Sequence, residues 1–282
     1  MGKKIAWVTD TAALLKEEFI NDHNIHVLAL NIVFEEGAFR ETVDMTQNEF
    51  YDKLRVAKVH PKTSQPNFGE HVALYEKLKS EGYDCAIAVH TSVQLSGTFN
   101  SAFMASEQAG FKCYPIDSKI GSFPMGKMLE KGIEMVAGGS EPEEIVAELE
   151  DMTTRSELSF IPSNLTQLHK SGRVSGTAAF LSNLLNIKLV IAFDNGFCKM
   201  IEKVRADKRA RNYVVNLLNK AREASNVSEV AVIHCNNEEG AIAWKNDLEK
   251  QYIDTKFIVL PLSACVGVHA GEGTVGLSWV RQ

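Results

Sequence analysis

The sequence predicts an α/β fold built from two domains, and two patterns along the chain carry this prediction. Through the first half, short apolar runs typical of strands alternate with capped stretches typical of helices, as in a mostly parallel sheet with helices on both faces. Beyond residue 156, two strand-like runs are joined by Asp194-Asn195-Gly196, a hairpin turn signal that indicates a mixed sheet. We therefore predict an N-terminal α/β domain over 1–156 and a C-terminal α/β domain over 157–282.

The elements of the first half are predicted from apolar runs, capping signals and turn residues. Thr46 and Glu49 form a capping box, so a helix is expected to follow directly. Asp10 and Thr11 close the first strand, where they either contact a ligand at the carboxyl edge of the sheet or cap the next helix. The predicted strands are 4–9, 25–33, 84–90 and 112–116, and the predicted helices are 12–22, 47–57, 68–80, 99–109, 120–137 and 141–153.

The second half contains an apolar helix beside its strands. The stretch 177–185 has few charges, so it faces either the core or a lipid-like ligand. The predicted strands are 158–161, 187–193, 198–204, 229–234 and 256–261, and the predicted helices are 165–170, 177–185, 206–224 and 239–251.

Two hydroxyl-rich turns precede helices in the first half. Thr63 and Ser64 lie in a polar loop over 62–67, where they either cap the following helix or face a ligand. Ser96 and Gly97 lie between a buried strand and a helix, where the helix dipole favours an anion. Because Ser96 is not in a Gly-x-Ser-x-Gly nucleophile elbow, we favour binding over nucleophilic catalysis at this turn.

A glycine-rich stretch over 267–273 stands near the C-terminus, with His269 in its middle. It is either a plain hairpin turn or a loop whose backbone N–H groups converge on an anion. The strand-like sequence after Gly273 does not fit a P-loop or a dinucleotide fingerprint, both of which open a helix. We therefore expect an anion-binding loop with a polar side chain, and no nucleotide cofactor.

Composition limits the possible functions and the cellular location. A formal net charge of -6 disfavours nucleic-acid binding. No apolar run reaches the length of a membrane span, and the N-terminus does not resemble a signal peptide, so we expect no integral membrane protein. The five cysteines lack Cys-x-x-Cys spacing, which favours a reducing cytoplasm and no zinc site.

Basic residues cluster in the second half of this acidic chain. They form either a solvated face or a docking patch for a partner that handles phosphate. They are Lys170, Arg173, Lys203, Arg205, Lys208 and Arg209.

Taken together, five motifs resemble the DegV family, bacterial fatty-acid-binding proteins that include the FakB-type subunit of fatty acid kinase. The resemblance covers essentially the whole chain, and the second and third motifs together are more specific than any single motif. In chain order the motifs are Thr9-Asp10-Thr11-Ala12, Lys62-Thr63-Ser64-Gln65-Pro66, Leu95-Ser96-Gly97-Thr98-Phe99-Asn100-Ser101-Ala102, Lys170-Ser171-Gly172-Arg173-Val174 and Gly267-x-His269-x-Gly271-x-Gly273.

The resemblance implies a carrier protein that is not itself an enzyme. In this family a long-chain fatty acid lies between two α/β domains, with its tail in the second. The carboxylate would bind Thr63, Ser96 with Gly97, His269 and Arg173. The resemblance further implies that a separate ATP-binding kinase subunit phosphorylates the carboxylate, and that Arg205, with Arg173, engages this partner or the phosphate. No further cofactor is implied.

The sequence departs from the family pattern at several positions. Thr11 stands where Ser is usual, Ser171 where Gly is common, and Glu272-Gly273-Thr274 where Pro-Gly-Ala is typical. Glu272 would bring a negative charge near the anion site. Two other functions stay open: an acyl hydrolase or transferase that uses Ser96 with His269, and a lipid-responsive regulator.

Overall fold

A computed structural model of the chain describes residues 3–175 and 187–282, so the predicted helix over 177–185 lies outside the described residues. The strands are β1 (Ile5–Asp10), β2 (Ile25–Leu28), β3 (Asn31–Phe34), β4 (Gly37–Arg40), β5 (Lys62–Ser64), β6 (Cys85–His90), β7 (Cys113–Asp117), β8 (Ser156–Ile161), β9 (Val174–Ser175), β10 (Lys188–Asp194), β11 (Phe197–Val204), β12 (Glu229–His234), β13 (Lys256–Pro261) and β14 (Val275–Val280). The helices are α1 (Glu17–Asp22), α2 (Gln47–Val56), α3 (Phe68–Ser80), α4 (Thr98–Ala109), α5 (Phe123–Ala137), α6 (Pro142–Arg155), α7 (Leu165–Ser171), α8 (Asp207–Ala224), α9 (Glu238–Glu249) and α10 (Ala264–Ala270).

The first sheet has the strand order β2-β1-β6-β7, and all its neighbouring strands are parallel. The connection after β1 leads to β2 on one side of the sheet, whereas the connection after β6 leads to β7 on the opposite side. The crevice outside the carboxyl ends of β1 and β6 is therefore a switch point, the usual ligand position in open α/β sheets.

The second sheet is mixed and has the order β13-β12-β14-β8-β10-β11-β9. β12 pairs with β13 in parallel, whereas β14 and β10 pair antiparallel with their neighbours in the sheet. The predicted α/β class, with a parallel first sheet and a mixed second sheet, is confirmed. The domain boundary at residue 156 stays a prediction.

A small antiparallel sheet of β4, β3 and β5 was not expected from the sequence. It takes part of the predicted strand over 25–33, which divides into β2 in the parallel sheet and β3 in this one. The predicted polar loop over 62–67 likewise begins as β5, which pairs with β3. Local pattern could not show this division, because it depends on which partner strands each segment meets.

The predicted helix over 12–22 is wrong in its first half. A short 3-10 turn over Thr11–Ala13 ends at Leu14, whose φ of 55° is left-handed, and α1 begins only at Glu17. The Asp10 carboxylate accepts a hydrogen bond from the Ala12 amide at 3.1 Å, which stabilises this tight turn. The helix predicted over 120–137 likewise begins later, at Phe123.

One large buried cluster joins elements from all parts of the described chain. It includes Ile32 of β3, Tyr51 of α2, Phe160 of β8 and Val268 of α10. No helix of the described part is both long and apolar enough to cross a bilayer.

Candidate functional site

A mostly apolar cavity of about 270 Å³ lies at the switch point of the parallel sheet. The loops after β1, β6 and β7 form one wall, and side chains of the mixed sheet together with α10 form the other. Its apolar lining residues include Ala12, Leu30, Ile120, Leu158, Phe160, Leu168, Val174, Phe193, Cys198 and Leu262. An acyl chain is the kind of ligand that such a lining favours.

A hydrogen bond between Thr63 and His269 marks the polar end of this cavity. The Thr63 Oγ1 atom lies 2.8 Å from Nε2 of His269, and both residues line the cavity. Thr63 is placed by its strand, β5, and His269 by the last turn of α10. The second ring nitrogen of His269, Nδ1, is buried and has no hydrogen-bond partner among the described residues.

The imidazole of His269 is held in its neutral form. Burial lowers its pKa to about 3, and the positive charge of Arg173 and the nearby His60 act in the same direction. A neutral imidazole both donates and accepts hydrogen bonds. His269 can therefore bond Thr63 through one nitrogen and offer the other to a ligand.

Ser96 and Gly97 line the same cavity at the N-terminus of α4. The Ser96 hydroxyl lies 2.7 Å from Oγ1 of Thr98. The Gln65 side chain lies so close to Gly97 that a Cβ atom there would collide with the Gln65 amide oxygen. A side chain at position 97 would therefore require the Gln65 side chain to move, and glycine lets the two predicted turns approach closely.

A depression of about 340 Å³ adjoins the cavity and shares Thr63, Arg173 and His269 with it. Among the described residues, the lining of this cationic depression contains no carboxylate; it comprises His60, Pro61, Lys62, Thr63, Lys170, Ser171, Arg173 and His269. Such a set of donors and positive charges favours an anion.

Arg173 connects the cavity and the cationic depression. Its guanidinium donates through Nη1 to the carbonyl oxygen of Ser171 at 2.9 Å, which orients the exposed side chain. Arg205 is not among the residues that line either space. It is exposed in the link between β11 and α8, so the structure does not bring it to the other predicted site residues.

The glycine-rich stretch is not the loop that its composition predicts. α10 continues to Ala270, so His269 lies on a helix, and only Gly271 and Gly273, with φ of 88° and 92°, form a turn. The prediction of a backbone anion-binding loop is therefore wrong, because packing of α10 against α7 and the small sheet outweighs the low helix propensity of glycine.

Glu272 does not line the cavity or the depression. Its carboxylate pairs with Arg55 and accepts from Asn236, which lowers its pKa. The negative charge that distinguished this chain from the family pattern is thus compensated by protein donors.

The two interpretations of Asp10 are resolved in favour of capping. Its buried carboxylate accepts hydrogen bonds from the Ala12 amide and from both the amide and the hydroxyl of Thr91, and it contacts His90. Asp10 therefore shapes the wall around Ala12 and Thr91 without contacting the cavity itself.

Sequence reasoning missed several residues of the site. Lys62 and His60 border the cationic depression, and Ser122 lines the cavity. The small residues Gly121 and Ser122 before a helix resemble the Ser96 and Gly97 turn, and this similarity was the available signal. His60 had no such signal, since tertiary packing alone brings it to the site.

Comparisons with known proteins find one family. A family model described as an uncharacterised protein of the DegV family matches residues 4–282. A curated relative, Protein DegV of Bacillus subtilis, is 36% identical over 277 residues, which cover 98% of each chain. The crystal structure of the B. subtilis DegV, described as a fatty acid binding protein, has a TM-score of 0.89 with 36% identity and covers both chains fully. The crystal structure of a fatty acid binding DegV family protein from Streptococcus agalactiae has a TM-score of 0.92 and 27% sequence identity, and the match covers 100% of both chains.

Proposed function

This chain belongs to the DegV family, and from that premise we propose that it binds a long-chain fatty acid in the cavity and presents the carboxylate to a kinase. The carboxylate would bind Thr63, Ser96 and His269, with the Gly97 turn and Arg173 beside it. The acyl tail would lie along the apolar wall. Solved relatives described as fatty acid binding proteins support the ligand class.

The observation that carries this proposal is the position of the Thr63–His269 pair, which both an apolar cavity and a cationic depression share. A fatty acid needs both environments, because its tail avoids water and its carboxylate requires donors. Burying each methylene contributes about 0.8 kcal/mol, so a long tail contributes on the order of 10 kcal/mol. This exceeds an association cost of several kcal/mol.

The neutral His269 supports the same arrangement. A bound carboxylate accepts a hydrogen bond from the N–H group of the neutral imidazole or from the Thr63 hydroxyl. Arg173 balances the anion from the rim, so the carboxylate is not left as an unpaired buried charge.

We further infer that the cationic depression receives a phosphoryl group. In the proposed step a kinase subunit supplies ATP, a carboxylate oxygen attacks the γ-phosphorus, and the bond to the β-phosphate oxygen breaks, giving an acyl phosphate and ADP. Lys62, Lys170 and Arg173 would stabilise the charge on the transferring group. Arg205 would contact the kinase outside the site.

The alternative of a serine hydrolase has less support from the geometry. A nucleophile needs a hydrogen-bonded base, but Ser96 bonds Thr98, and His269 Nε2 bonds Thr63. A regulator that binds fatty acid without any kinase would use the same cavity. Only a phosphorylation assay with a kinase subunit distinguishes such a regulator from the proposed carrier.

Mass spectrometry of the purified protein, first native and then denatured, tests the ligand proposal. We expect about one fatty acid per chain, or its uptake when added. T63V and H269A should lower the affinity for the fatty acid moderately, because each removes a hydrogen-bonding group at the carboxylate. S106A serves as the control, because Ser106 is buried outside the cavity and its hydroxyl donates to the Phe103 carbonyl within α4. Wild-type protein that is empty and does not take up added fatty acid would exclude this function and favour the serine enzyme.

Phosphorylation assays test the second half of the proposal. With a fatty acid kinase subunit and ATP, the wild type should yield acyl phosphate. The H269A variant should lose this turnover while it still binds fatty acid, because most of the binding energy comes from the tail. Fatty-acid binding without turnover by any such kinase would instead support the regulator.

A further inference from the structure

Ser122 is an unusual polar residue in the wall of the cavity. It lies between β7 and α5, it is only 3% exposed, and its hydroxyl has no hydrogen-bond partner among the described residues. Although it stands at the N-cap of α5, its side chain caps no backbone amide. A buried hydroxyl without a partner is costly, so it requires an explanation.

Its backbone is unusual as well. Ser122 has a φ of 64° and a ψ of -143°, a region that residues with a Cβ rarely adopt. The amide donates to the carbonyl oxygen of Ala12 at 2.9 Å, which fixes this conformation against the loop after β1. The hydroxyl is therefore held in the cavity wall by a well-anchored backbone.

Among the described residues, three other hydroxyls of the cavity that are not exposed to solvent already have partners. Thr63 bonds His269, Ser96 bonds Thr98, and Thr91 donates to the Asp10 carboxylate at 3.1 Å. Ser122 differs from these three, because its hydrogen-bonding capacity remains available to a ligand.

The position of Ser122 differs from that of the Thr63–His269 pair. It does not line the cationic depression that Thr63, Arg173 and His269 share, and Ala12 and Ile120 beside it are apolar. Within the proposed function, a ligand group that reaches Ser122 then belongs to the acyl chain.

We propose that the cavity takes fatty acids that carry a hydroxyl on the acyl chain, and that Ser122 recognises this hydroxyl. The inference rests on the proposed function. A plain methylene opposite Ser122 leaves the serine hydroxyl unpaired, whereas a ligand hydroxyl pairs both groups at once. Pockets that offer a buried hydrogen-bonding group discriminate against ligands lacking the complement.

Competition binding tests this inference. A fluorescent fatty acid is displaced from the wild type, S122A and S122G by stearic acid and by a set of its mono-hydroxylated positional isomers. For at least one isomer, both variants should bind about tenfold more weakly than the wild type, while stearic acid changes less than about twofold. The two variants differ in backbone strain, so an effect they share comes from the hydroxyl.

T91V is the matched control, because it removes a hydroxyl from the same wall that already has a protein partner. T91V should change the affinity for stearic acid and for its hydroxylated isomers by the same factor. An equal loss of affinity for all ligands in S122A would place Ser122 at the carboxylate, and no loss for any isomer would show that water fills the site; either result overturns the inference. Wild-type protein that fails to bind stearic acid itself would refute the proposed function instead.

Discussion

At the residue scale, the site depends on hydroxyls and one imidazole whose environments differ. Thr63 and His269 are 206 positions apart, yet they form a 2.8 Å hydrogen bond. Thr63 and Ser96 already have protein partners, and Ser122 has none among the described residues. The sequence shows all three as hydroxyl residues near helix starts. Only the tertiary structure shows which of these hydroxyls already has a hydrogen-bond partner in the protein.

The strain at Ser122 gives a stability prediction. Ser122→Gly should raise the free energy of unfolding by about 1 kcal/mol, because relief of a disfavoured φ/ψ pair, worth about 1–3 kcal/mol, exceeds the extra entropy of glycine in the unfolded chain. Urea denaturation measures this difference. Ser118→Gly should instead destabilise, since its hydroxyl accepts from the Ile120 amide. A less stable S122G protein would contradict the prediction.

At the element scale, α10 is a seven-residue helix that other parts of the chain hold at both ends. The buried Glu41 carboxylate accepts from the Ala264 amide and from the Thr11 hydroxyl. Near the other end, the Gln167 side-chain amide donates to the carbonyl oxygen of Val268 at 3.1 Å. A helix this short is not stable alone, so these contacts keep His269 in place.

Replacing Glu41 therefore tests how α10 is held. Glu41→Ala leaves the Ala264 amide and the Thr11 hydroxyl without their acceptor and should cost about 2–4 kcal/mol of unfolding free energy. Glu41→Gln, which keeps one acceptor oxygen, should cost less. The exposed Glu35→Ala is the control and should change stability by less than about 0.5 kcal/mol. Equal stabilities of E41A and E35A would show that Glu41 does not hold the helix.

At the scale of the whole molecule, the cavity exists because parallel and mixed sheets meet around it. One core cluster contains side chains from the small sheet, α2, the mixed sheet and α10. The cavity walls therefore come from segments far apart in sequence. Several histidines are buried in this assembly, and His71 and His269 have pKa values lowered to about 4 and about 3, mainly by burial.

These histidines predict a loss of stability in acid. Between about pH 6.5 and 4 the unfolded chain binds protons that the folded chain excludes, so stability is full above about pH 6.5 and decreases as the pH falls. Each histidine contributes a slope of at most about 1.4 kcal/mol per pH unit. Glu41, whose pKa is raised by burial, acts in the opposite direction. Between these pH values, the urea midpoint should decrease less in H71N than in the wild type. If the midpoint of H71N depends on pH as that of the wild type does, His71 does not contribute to the loss of stability.

The sequence by itself determined the α/β class, the capping box of α2, the hairpin between β10 and β11 and the hydroxyl-bearing turns, because hydrophobic period, caps and turn residues act over a few positions. It also pointed to Thr63, Ser96, Gly97, Arg173 and His269, which fall within recognisable motifs and which the structure brings to one cavity. Tertiary structure alone decided that 25–33 divides between two sheets, that the glycine-rich stretch continues a helix, and that Lys62 and His60 join the site. These outcomes depend on contacts between distant segments, whose packing energy exceeds local propensity.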